Sequence, residues 1–91
     1  MKLHFPNPSR SFDESSRRML FWGYDATIEV SFFVEADALK HLYPDMDDTK
    51  SGLLKAFDSA RDRIYEVADK CYLRAGSAKG TYAYVLAMEH F

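Results

Sequence analysis

Arg10, Asp13, Arg17, Arg18, Trp22, Tyr24 and Asp25 crowd into one short stretch of the chain, and Phe33 follows on the next apolar segment. A guanidinium pairs a carboxylate or a phosphate in two places at once, and an indole buries a large area. Arg, Trp and Tyr therefore dominate contact hot spots. Two chemistries suit the cluster. An apolar patch rimmed by arginines fits a protein partner, a second copy of the chain included. Alternatively, Arg10, Arg18 and nearby carboxylates could hold an anionic metabolite in a pocket, as a small ligand binder or enzyme. The plainer account makes Asp13 and Arg18 an ordinary cross-strand ion pair and places Trp22 in the core.

Other constellations carry less. Asp45-Met46-Asp47-Asp48-Thr49 starts like a calcium loop, but the positions that need Gly and Glu hold Lys50 and Ala56. Acidic residues ahead of a helix N-terminus account for the segment. His4, His41 and His90 are scattered over the chain with no i, i+4 pair, so no metal site is expected. Cys71 lies on the apolar stripe of a helix as core filler. Ser9, Ser11, Ser15 and Ser16 sit at turns with no histidine base at a useful spacing. Gly76-Ser77-Ala78-Lys79-Gly80-Thr81 leaves a helix and enters a strand, the wrong polarity for a phosphate loop. Tyr82 and Tyr84 partly match the base-stacking strand of RNA-recognition domains, with one residue too many before them. No catalytic, cofactor-binding or metal-ligating set emerges.

The elements that position these residues must come from 91 residues, enough for one core and one domain over residues 1–91. With 47% hydrophobic and 29% charged residues the chain has the composition of a folded protein. Seven Phe, six Tyr and one Trp supply a core that a few rings could dominate. A net charge of −2 gives no global attraction to nucleic acid or anionic lipid, so neither is an expected partner. Charge is uneven: residues 1–20 sum to +2, 21–48 to −6 and 49–91 to +2. One cysteine excludes an intrachain disulfide framework, and Met1-Lys2-Leu3-His4-Phe5-Pro6 has no apolar signal core. The expected compartment is the cytoplasm, with no membrane span.

The first half reads as strands. Leu3 and Phe5 alternate before Pro6-Asn7-Pro8; residues 11–13 and 18–22 flank a turn at Glu14-Ser15-Ser16-Arg17. Arg18, Leu20 and Trp22 then share one face and Met19 and Phe21 the other. Over residues 27–35, Ile28, Val30, Phe32 and Val34 point one way while Phe33 points the other, with Gly23-Tyr24-Asp25-Ala26 as the expected connection. Residues 37–43 predict a short helix that Pro44 ends. From Thr49 to Arg74, Leu53, Phe57, Ala60, Ile64, Val67 and Cys71 recur at alternating spacings of four and three, which predicts one long helix capped near Gly76. Residues 81–88 carry no charge and predict an inner strand buried on both sides. The expected fold is α+β: two layers, with a mainly antiparallel sheet of four to five strands and one long and one short helix packed on one face.

Phe5-Pro6-Asn7-Pro8-Ser9-Arg10-Ser11-Phe12-Asp13, Phe21-Trp22-Gly23-Tyr24-Asp25, Glu29-Val30-Ser31-Phe32-Phe33, Leu54-Lys55-Ala56-Phe57-Asp58 and Gly80-Thr81-Tyr82 together resemble the domain of unknown function 1488 family of small bacterial proteins. The resemblance spans nearly the whole chain. It implies a single small bacterial domain and brings no activity, cofactor or catalytic residue. On the residues alone, a non-enzymatic interaction module, homodimeric or with another protein, is the first expectation, and the anionic-metabolite binder or enzyme is the second.

Overall fold

The computed structural model describes residues 3–75 and 83–91. Alternating burial in the first half produces three strands: β1 (Arg10–Asp13), β2 (Arg18–Asp25) and β3 (Ile28–Glu35). Three helices follow, α1 (Ala36–Leu42), α2 (Lys50–Ser59) and α3 (Arg61–Ala75), then β4 (Ala83–Leu86) and a 3-10 turn, Met88–His90. The strands lie in the order β1-β2-β3-β4, with β1–β2 and β2–β3 antiparallel and β3–β4 parallel. The fold is α+β with a mixed sheet, since the helical crossover after β3 brings the chain back to start β4 in the same direction.

The helices share one face of the sheet. Met19 and Phe21 of β2, Val30, Phe32 and Val34 of β3 and Leu86 of β4 meet Leu39, Leu53, Phe57 and Ile64 in a single buried cluster. Rings join the layers: Phe21 lies 5.3 Å from both Phe32 and Phe57, and Phe5 stacks on Tyr65 at 4.0 Å. Each fully buried ring contributes about 1.5–3 kcal/mol through removal from water, so Phe21, Phe32 and Phe57 form the largest block of the core.

Several expectations change. The single long helix is two, because Ala60 leaves helical geometry (φ −101°, ψ 10°) and its N–H is shared between the carbonyls of Ala56 and Phe57. The apolar spacing runs unbroken across this bend because Ala60 stays buried. Leu3 and Phe5 form no strand; His4 makes one isolated bridge to Tyr24. β2 runs on to Asp25, and the turn is Ala26 and Thr27, with Ala26 at φ 56°. Gly23 is therefore a strand residue whose missing side chain leaves room for the Phe5 ring. Nor is the last strand an inner one. β4 is an edge with Val85 exposed, its lack of charge notwithstanding. The expected cap at Gly76 and turn over residues 76–80, and Tyr82, lie outside the described residues.

α1 starts against the first hairpin. The Ala36 N–H donates to the Arg17 carbonyl at 3.0 Å, and Arg17, at φ 52°, directs its side chain to an ion pair with Asp48. At the far end of the acidic segment Thr49 caps α2, its hydroxyl oxygen accepting from the Gly52 N–H. A β-carbon on Gly52 would lie 2.0 Å from the Asp47 carbonyl oxygen, so the loop can close over α2 only at a glycine.

Candidate functional site

Register places the singled-out residues on two sides of the sheet. Arg10 pairs with Phe21 and Asp13 with Arg18 across β1 and β2. Arg10 thus faces the helices, where its Nη2 donates to Asp58 at 2.8 Å. The other oxygen of Asp58 accepts from Arg61 at 2.6 Å, and Arg61 also donates to Tyr65 Oη and to the Pro8 carbonyl. Burial opposes the Arg61 charge, but these bonds prevail and its pKa lies above the ordinary value. Asp58 and Arg61 escaped the sequence reading because their partners are distant in the chain; the only local signal was their i, i+3 spacing.

Asp25 also belongs to the helix side, accepting from Tyr72 Oη of α3 at 2.7 Å; this bond raises the Tyr72 pKa. Asp13 is a turn residue. The Ser16 and Ser15 hydroxyls donate to its carboxylate and hold its pKa below the ordinary value. No ion pair joins Asp13 to Arg18 among the described residues, so the cross-strand bridge read from the sequence does not form. Arg18 instead lies over the Phe33 ring, 4.3 Å from its centroid. Cys71 is half-buried, and burial pushes its thiol pKa up, away from thiolate chemistry. Tyr84 packs against Phe32 and Tyr72 toward the helices, not on an open stacking surface.

What remains on the face away from the helices is one coherent patch. β2 alternates half-buried Arg18, Leu20, Trp22 and Tyr24 with buried Met19, Phe21 and Gly23. On β3 the same alternation sets Glu29, Ser31, Phe33 and Glu35 against buried Val30, Phe32 and Val34. Leu20 pairs with Phe33, which in turn pairs with Val85 of β4, and Trp22 pairs with Ser31, beside Ala83. None of Leu20, Trp22, Phe33 or Val85 joins the core cluster or packs against it among the described residues. The patch is bounded by Arg18 and Glu35 at one end and by Tyr24 and Glu29 at the other, where Tyr24 Oη donates to Glu29 at 3.1 Å and its pKa is raised by that bond.

A cleft of about 430 Å³ lies elsewhere, between the loop that follows α1 and the face of α2, lined by Tyr43, Met46, Asp47 and Lys55 among others. It contains none of the arginines singled out in the sequence. Among the described residues no group of three or more His, Cys, Asp or Glu is arranged to hold a metal ion, and no helix is long and apolar enough to cross a membrane.

The architecture and its one-sided helix layer define a small two-layer α+β protein whose second sheet face is left uncovered by the described residues. The family profile described as "Protein of unknown function (DUF1488)" matches residues 3–86, and the chain belongs to that family. Its fold is similar to the crystal structure of a DUF1488 protein of unknown function from Shewanella loihica PV-4, with a TM-score of 0.73, 18% identity and 90% of each chain covered. A comparison with curated proteins gives no match.

Proposed function

We propose that the chain is a non-enzymatic protein-interaction module whose working surface is the sheet face opposite the helices. The observation that carries this reading is Trp22, Leu20 and Phe33 lying half-buried on that face, contiguous with exposed Val85 and outside the core. Large apolar side chains left contiguous on a surface contribute nothing to solubility and are the usual mark of a contact site. Indole and guanidinium groups are the side chains that most often anchor such contacts, and Arg18 already lies over the Phe33 ring.

The metabolite-binding alternative is less well supported, since Arg10 faces the helices, neutralised by Asp58, Arg17 is paired with Asp48 at a corner, and Arg18 lies on the opposite face from Arg10. Such a ligand site needs those guanidiniums to converge.

The test is capture by immobilised wild type and by a Leu20→Glu variant, offered native extract and, separately, free copies of the same chain. Recovery of a protein by wild type that Leu20→Glu loses supports the reading. Equal recovery by both from both sources overturns it.

A further inference from the structure

We infer that the occupant of the open face is a second copy of this chain, docked about a two-fold axis that runs parallel to the strands between β2 and β3. The inference rests on the interaction reading above and gives it a partner and a register.

The rows of the two faces match. A two-fold axis in that position lays β2 of one copy over β3 of the other while keeping each row of residues level with itself. The rows follow from the pairing of Arg18 with Glu35, Leu20 with Phe33, Trp22 with Ser31 and Tyr24 with Glu29. Under the operation Arg18 meets the second copy's Glu35, and its own Glu35 meets the second copy's Arg18. Leu20 meets Phe33. Trp22, the largest side chain of the face, meets Ser31 beside Ala83, so large is set against small as interdigitating sheet faces require. Tyr24 meets Glu29, but its one phenol hydrogen already goes to Glu29 of its own copy, so this row adds contact and no new hydrogen bond.

Charge makes this register the favoured one. Arg18 and Glu35 are opposite one another on neighbouring strands, yet no ion pair or hydrogen bond links them or engages either side chain elsewhere among the described residues. Arg18 Nε is buried and makes no hydrogen bond. Reversing the strand direction of the second copy would instead level Glu35 with Glu29, carboxylate against carboxylate. A basic or acidic foreign surface would satisfy one member of the Arg18 and Glu35 pair and repel the other; a second copy satisfies both.

Area sets the strength. Strands about 4.8 Å apart and about 3.3 Å per residue give a flat footprint of about 400 Å² per copy, and side-chain relief takes the area buried between two copies to about 1,000 Å². That is the lower end for a specific interface, the size class of weak and transient contacts, so dimerisation is expected in the micromolar range rather than as an obligate dimer.

Sedimentation velocity across a concentration series tests the assembly. Wild type is expected to pass from monomer to dimer across the micromolar range. Arg18→Glu alone and Glu35→Arg alone are each expected to lose dimer affinity by about 100-fold or more. Mixed in equal amounts they should dimerise again, because every 18-to-35 contact across the interface is then between opposite charges. Ser31→Trp, which fills the space for the second copy's Trp22, should also be monomeric while melting as a folded protein. It keeps the test open if a charge variant fails to fold.

A wild type that stays monomeric to millimolar concentration overturns the inference, and if native extract still yields a protein that Leu20→Glu loses, the interaction reading survives with another partner. A dimer that Arg18→Glu and Ser31→Trp leave intact, or variants that do not recover on mixing, overturn the proposed register.

Discussion

The Phe5 ring occupies the place where residue 23 would carry a side chain: a β-carbon built on Gly23 lies 2.7 Å from Phe5 Cε1. Phe5 in turn stacks on Tyr65 and touches Phe21 and Phe32, so the glycine admits the ring that ties the N-terminal segment to the aromatic core. Gly23→Ala is expected to destabilise the fold by about 1–3 kcal/mol, because the displaced ring is packed rather than free to swing aside. Urea denaturation measures the loss. Phe5→Leu in the same chain should recover part of it.

At the tip of the second hairpin the opposite substitution is favourable. Ala26 holds φ at 56°, in the left-handed region that a two-residue hairpin loop demands and that a β-carbon disfavours. Ala26→Gly is expected to raise stability by about 1 kcal/mol, reduced somewhat by the greater freedom of glycine in the unfolded chain. A rise in melting temperature with unchanged oligomeric behaviour checks it; a fall would show that the turn does not hold this conformation in solution.

Asp58 is the counter-ion of two guanidiniums, Arg10 from the edge strand and Arg61 from α3, and it joins the sheet to the junction of the last two helices. The carboxylate is 44% exposed, so solvent screens each pair and about 0.2–1 kcal/mol per contact is the appropriate scale. Asp58→Ala should therefore cost about 1 kcal/mol in low salt and less in high salt. A double-mutant cycle with Arg10→Ala should return a positive coupling. Zero coupling would mean that the pair is solvated.

Alkaline pH should act through Tyr72 and Tyr24. Both phenols donate to carboxylates, Asp25 and Glu29 respectively, and both have pKa values raised above the ordinary 10.0. The folded state holds these protons more tightly than the unfolded state. The stabilisation is fully present below the unfolded value near 10.0 and is lost as pH rises through the folded value. Denaturation midpoints are expected to fall more steeply above about pH 10 in wild type than in Tyr72→Phe. Equal slopes would remove the Asp25 bond from the account.

How far the sequence could be read depended on the range of the interaction. The hairpin at residues 14–17 and the alternation of β3 are local, and so is the parity that sets Trp22 and Phe33 on the face away from Phe21 and Phe32; all three were legible. The bend at Ala60 was not, because rotating one backbone angle leaves the apolar spacing from Phe57 to Ile64 intact. The edge position of β4 was hidden for another reason. An uncharged segment reads as buried, whereas Val85 is exposed on the same open face as Phe33. Asp58 had no local signature as the meeting point of two arginines, since Arg10 reaches it from 48 residues away.

The parallel partnership of β3 and β4 has a kinetic side. Chains emerge from the ribosome N-terminus first, and β3 is complete well before the strand that will lie along its free edge has been translated. Throughout the synthesis of the three helices β3 is paired with β2 on one side only, and its other edge at Phe32, Phe33 and Val34 stays open, the kind of edge that invites misassociation. That edge closes only when β4, made after all three helices, is laid along it, so the sheet is the first layer begun and the last completed.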